Sequence, residues 1–215
     1  MVIGIYIVII LIPVILYSYI LYLYNKNNGN DIKSKLSGFE VARKVLDNHN
    51  LNNYIVLVKG TLNSHYDYSH KVVRLTQETY DGTSFSSTID ALRVSMYAVL
   101  DNENDKLSHV RSLLLPFIEF ITLLSYILFV IFVIFKDFNG VKIATLLLFI
   151  VLLFYLINLK FENKVMTEGK KELDKLKILT KKEIEDSENL FKVFPFIIVT
   201  SMITVVFKLF NNVKR

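Results

Sequence analysis

The sequence predicts a mainly α integral membrane protein, with about four transmembrane helices and a small α+β domain beside the membrane. Three observations carry this. Apolar residues make up 53% of the 215, mean hydropathy is +0.42, and the apolar residues are gathered into long runs instead of being dispersed. Two short runs rich in β-branched residues, YIVLV at 54–58 and KVVRL at 71–75, read as strands. After them Phe85, Ile89, Leu92, Met96 and Val99 recur at helical spacing behind Ser84, a suitable N-cap.

Composition excludes several classes. With no cysteine there is no disulfide and no cysteine-held metal or cluster. The net charge of +5 is read as belonging to loops on one side of a membrane, because no aromatic–basic interleaving or known nucleic-acid module accompanies it. No nucleic-acid partner is expected; the bilayer is, and a membrane protein partner fits the same reading. The sequence carries no sign of oligomeric state.

Taken in order, residues 1–24 are uncharged and long enough to span. Pro13 is read as a kink, since membrane helices tolerate proline. The basic n-region and small-residue cleavage site of a signal peptide are missing, so a retained anchor is expected. Residues 25–112 form the α+β domain. Residues 25–36 are a polar loop, 37–46 a short helix with Phe39, Val41, Ala42 and Leu46 apolar, and 47–53 a turn. Residues 61–70 connect the two strands and carry His65, Asp67 and His70. Tyr80 to Thr83 read as a turn before the helix at 84–100, whose apolar stripe is expected to pack on the strands.

Residues 101–112 are a charged link to the second span, 113–135, where Glu119 is a carboxylate in an apolar run and therefore a functional candidate. Residues 136–142 form a tight hairpin and 141–159 the third span. Residues 160–192 are densely charged, and Thr180 with Glu183 has capping-box spacing. The last span is 193–210, short and containing Pro195, followed by a basic tail. Lys26, Lys33, Lys35, Lys164, Lys170, Lys171, Lys181 and Lys182 flank spans on the side of the main domain, against Lys136, Lys142 and the tail on the other, so the domain is expected in the cytoplasm.

The order of short motifs resembles the membrane-bound neutral zinc metallopeptidases, the YugP-like family. Ser37-Gly38 with Ala42 and Leu46, His65-Tyr66-Asp67, Lys71-Val72-Val73-Arg74-Leu75, Tyr80 to Ser84, and Arg111-Ser112, Leu114 and Pro116 follow the family pattern. The likeness extends over the whole chain and implies a zincin-like fold for the membrane-proximal domain. It also implies a zinc site on an HExxH helix, where two histidines four apart bind the metal and a glutamate activates its water.

At the matching positions this chain has Arg93-Val94-Ser95-Met96-Tyr97, and the family's third ligand, a glutamate after the third span, aligns with Lys160. A guanidinium has no lone pair to donate and valine is no base. The resemblance with these departures implies a membrane-embedded, catalytically inactive homologue acting as a scaffold or regulatory binding protein, with no cofactor. Asp90, Arg93, Lys160 and Glu162 are expected to form an ion-paired cluster in place of the metal. Two alternatives stay open: an active peptidase with displaced ligands drawn from His65, His70, His109, Asp67 and Glu162, and a small transport component. His65 and His70, five apart, fit no common zinc spacing. His49 and His109 are read as surface residues.

Overall fold

The computed structural model describes residues 2–58 and 63–213, with side chains described through 206. Among the described residues, four helical stretches are long and apolar enough to cross a membrane: Val2–Asn28, Lys106–Ile134, Phe138–Lys175 and Glu188–Val206. Lys59, Gly60, Thr61 and Leu62, two of them in the expected strand connection, lie outside the described residues, as do Met1, Lys214 and Arg215. The chain divides into two compact units, a membrane unit of Met1–Tyr19, Val110–Lys160 and Phe196–Arg215, and a second unit of Ile20–His109 and Phe161–Pro195.

The membrane unit takes its helices from α1 (Val2–Asn28), α5 (Lys106–Ile134), α6 (Phe138–Lys175) and α9 (Ile197–Val213). Pro13 and Pro116 both sit inside helices. The core holds Tyr6, Ile9, Ile118, Leu148, Tyr155, Val199 and Met202. Hydroxyls hold the helices together where apolar packing gains nothing over lipid. Tyr126 Oη donates to Met202 O at 2.7 Å, Ser125 Oγ to Ala144 O at 2.9 Å, and Tyr6 Oη to Ser125 O at 3.3 Å. Gly140 faces the Phe132 ring so closely that a Cβ would fall 2.2 Å from it, which is why the α5–α6 hairpin carries glycine there.

The second unit is built around α4 (Phe85–Asn102). α2 (Gly38–Asn48) packs on it and opens with a complete capping box, Ser37 and Glu40 bonding each other's backbone amides. The sheet has the order β1-β3-β2, with β1 (Ile55–Val58) parallel to β3 (Val72–Leu75) and β2 (His65–Asp67) antiparallel to β3. Val56, Tyr66, Val73 and Leu75 are buried, and α4 packs on β2 and β3.

Several details differ from the sequence reading, beginning with the first helix, which runs on to Asn28 through the start of the expected loop. The connection between the two expected strands contains a third strand, His65-Tyr66-Asp67, too short to register as a periodic pattern. The turn at Tyr80 is the end of a short helix, α3 (Gln77–Asp81), capped by Thr76 and ended by Gly82. The charged link at 101–112 is largely the start of α5. The helix of the third span does not end near 159: α6 continues as one helix to Lys175, its charged residues lying beyond the apolar stretch. After it come α7 (Lys181–Asp186), with Thr180 and Glu183 forming a complete capping box, α8 (Glu188–Val193) and a single 3₁₀ turn.

α4 also departs from an amphipathic surface helix, since every residue from Ser86 to Leu100 is buried. Beside its apolar stripe the helix carries small hydroxyl residues, two of which bond backbone carbonyls. Ser95 Oγ donates to Ala91 O at 2.8 Å and Ser86 Oγ to Tyr24 O at 2.8 Å. Small side chains also let neighbours approach: a Cβ on Gly38 would lie 3.3 Å from Ala91 Cβ, and one on Gly169 of α6 would lie 2.9 Å from Leu92.

Candidate functional site

The chemistry-bearing side chains of α4 lie one turn apart and point to one place. Asp90, Arg93 and Tyr97 have i,i+3 and i,i+4 spacing and share a helix face. Arg93 Nη2 donates to Asp90 Oδ1 at 2.7 Å, and Nη1 donates to the Tyr97 hydroxyl at 2.8 Å. Tyr97 Oη then donates to Glu162 Oε2 at 2.6 Å, a short bond of the kind a carboxylate makes. The far oxygen of Asp90 accepts from Thr79 Oγ1 at 3.1 Å, and Arg93 Nη2 lies 3.4 Å from Ser64 O. The Tyr97 ring stacks on Phe161, centroids 6.0 Å apart.

The cluster is dry: Arg93 is 5% exposed and Glu162 0%. Burial works against the guanidinium's charge, but Tyr97, Asp90 and Glu162 outweigh it and hold Arg93 above its ordinary range. Chemically the arrangement is a buried lock that ties α4 to α6 and to the residue before β2. Its charges face each other and not solvent.

The structure thus brings together Asp90, Arg93, Tyr97 and Glu162. It does not bring in Lys160, which is exposed. The physical reason is helical phase: two residues on a helix differ by about 200°, so Lys160 and Glu162 turn to opposite sides. The carboxylate, not the lysine, faces inward. Val94 is fully buried, as a core residue. The signal for Glu162 was present in the sequence, because Phe161, Val165, Met166 and Leu173 form a buried stripe along α6 that includes it. Thr79 and Ser64 carried no such signal; they reach the cluster only through the packing of α3 and the segment before β2.

His65 sits half-buried on β2, with Nδ1 3.4 Å from Asn63 O. His70 is 72% exposed beyond that strand, its Nδ1 3.0 Å from Asp67 Oδ2. Asp67 also accepts from Arg74 Nη2 at 3.0 Å and from the His70 amide at 3.1 Å. Burial opposes its charge, but the bonds from Arg74 and His70 outweigh it and hold the carboxyl at about 2. His109 is exposed on α5, and Glu119 is half-buried in the membrane unit. His49 is not a plain surface residue: it caps α2 and is flanked by two carboxylates.

A multi-span membrane chain with a small α+β unit around one buried helix is the class that this fold defines. The model of a family described as "Putative neutral zinc metallopeptidase" matches residues 2–214, and the chain belongs to that family. It is also similar to the "Putative membrane protease YugP" of Bacillus subtilis (strain 168), 26% identical over 148 residues. That match covers 68% of this chain and 66% of the relative, just under two thirds of the relative's length. No solved structure matches.

The family description corrects the expectation of no cofactor. Zinc is the group that membership implies, and the substitutions at Arg93, Val94, Tyr97 and Lys160 do not remove that implication. The residues gathered around Arg93 do not by themselves fit a zinc ion. A guanidinium offers no lone pair, and among the described residues no three or more His, Cys, Asp or Glu come together as a metal-holding group.

Proposed function

We propose that this chain is a catalytically inactive membrane member of the metallopeptidase family that acts as a scaffold or regulatory binding protein. The single observation behind this reading is the Arg93–Tyr97–Glu162 chain of hydrogen bonds. Arg93 and Tyr97 stand where the family resemblance places its two histidines, and they bond each other and a buried glutamate. Val94, at the position of the water-activating glutamate, has no acid–base chemistry. The partner is another membrane protein in the same bilayer, and nucleic acid is not a partner. The second unit faces the cytoplasm, on the strength of the lysines that flank the spans on its side.

The test is a proteolysis assay on the purified full-length chain in detergent, with zinc supplied and an unfolded protein and a mixed peptide pool as substrates. No cleavage above that of a heat-inactivated sample is expected. Zinc-dependent cleavage that disappears on His65→Ala or His70→Ala would overturn the reading in favour of an active peptidase with displaced ligands.

A further inference from the structure

Three helices of the second unit meet at His49. The residue caps the C-terminus of α2. Its Nδ1 lies 3.8 Å from Glu103 Oε1, at the C-cap of α4, and its Nε2 lies 3.5 Å from Glu172 Oε1 on α6. The His49 side chain is 25% exposed and that of Glu172 only 11%.

Other charged groups face this place. Lys175 lies 3.6 Å from Glu172, and Asn48 Nδ2 donates to the same carboxylate oxygen. Lys164, on α6, interacts electrostatically with Glu103, though its own hydrogen bond goes to Asp105. On α2 itself, Arg43 and Asp47 bind each other at 2.7 Å.

A neutral imidazole has one N–H and one bare lone pair, whereas an ionised carboxylate only accepts. With a carboxylate at each ring nitrogen, the neutral ring must turn its lone pair toward one of them. Only the imidazolium can donate to both. We propose that His49 is a proton-operated clip that fastens α2 and the end of α4 to α6. Taking up a proton turns one facing lone pair into a donor and adds attraction to both carboxylates, so the clip tightens as pH falls and the ring becomes charged. Lys175 and Lys164 offset part of that gain by holding Glu172 and Glu103 in the neutral-ring state. Glu103, half exposed, contributes less than Glu172 because water and salt screen it. The clip lies apart from the Arg93 cluster and does not depend on whether the chain hydrolyses peptides.

The experiment is hydrogen exchange by mass spectrometry on the full-length chain in lipid nanodiscs, with rates corrected for intrinsic exchange. Peptides covering residues 45–51 and 170–177 are followed between about pH 8 and about pH 6. In the wild type, corrected exchange there should slow roughly two- to fivefold as pH falls, the size of one or two partly screened ion pairs. The response should vanish in His49→Gln and shrink by more than half in Glu172→Gln, since the Glu172 pair is the less screened of the two. Should the first variant misfold, the second alone carries the comparison. A wild type with no pH response in these peptides, or either variant keeping the full response, would overturn the proposal.

Discussion

Tyr97 donates its hydroxyl to Glu162 at 2.6 Å while accepting from Arg93 at 2.8 Å, so one phenol joins a buried cation to a buried anion across two helices. Removing that oxygen leaves both partners in a dry place without their shared neighbour. Tyr97→Phe is expected to cost roughly 1–3 kcal/mol, the penalty of an unmet buried polar group. Thermal unfolding of the variant in detergent, compared with wild type, measures it; an unchanged midpoint would contradict the bonding described here.

Arg93 is the heavier loss. Arg93→Ala leaves Asp90 and Glu162 buried without their cation and should cost roughly 3–5 kcal/mol. The combination Arg93→Met with Asp90→Asn removes the charge pair and should be milder than Arg93→Ala. If the double variant is the less stable of the two, the lock is not an ion-paired unit.

Gly38 begins α2 where a Cβ would fall 2.0 Å from the carbonyl oxygen of Thr79. The clash is with backbone, so no rotamer change relieves it. Gly38→Ala should cost about 1–3 kcal/mol by forcing α2 and α3 apart, whereas Gly4→Ala, with nothing within 4 Å, should leave the unfolding midpoint unchanged.

Asp67 gives a pH dependence of definite sign. Its carboxyl is held at about 2 in the folded chain against an ordinary 3.8. A depressed carboxyl stabilises the fold above its unfolded value, and that contribution is lost as pH falls from about 3.8 through about 2. Stability of the wild type should therefore decline through that window more than stability of Asp67→Asn. Parallel acid-unfolding curves for the two would contradict the bonds from Arg74 and His70.

Because the chain has no cysteine, single cysteines report the proposed orientation without background. Lys181→Cys, on the exposed start of α7, should resist an impermeant thiol reagent in intact cells and label after lysis. Asn139→Cys, exposed at the α5–α6 hairpin, should label in intact cells. The reverse pattern would turn the protein over in the membrane.

Much of this protein is set by local chemistry that the sequence states directly. Uncharged runs of span length become membrane helices because hydrocarbon leaves the backbone no partner but itself. Ser37 with Glu40 and Thr180 with Glu183 mark helix starts because the reciprocal bonds need only four consecutive residues. Two β-branched runs mark β1 and β3, though not the direction of their pairing, and Asp90 reaches Arg93 because three residues is a fixed distance on any helix. Tertiary structure decided the rest. Strand β2 exists through its pairing with β3, and α4 is buried on all sides because Gly38 and Gly169 admit α2 and α6 against it. The inward residue after the third span was settled by the unbroken phase of α6, which turns Glu162 to Tyr97 and Lys160 to the outside. A one-dimensional match can align positions along the chain, but only the helix's rotation about its own axis determines which of them faces the site.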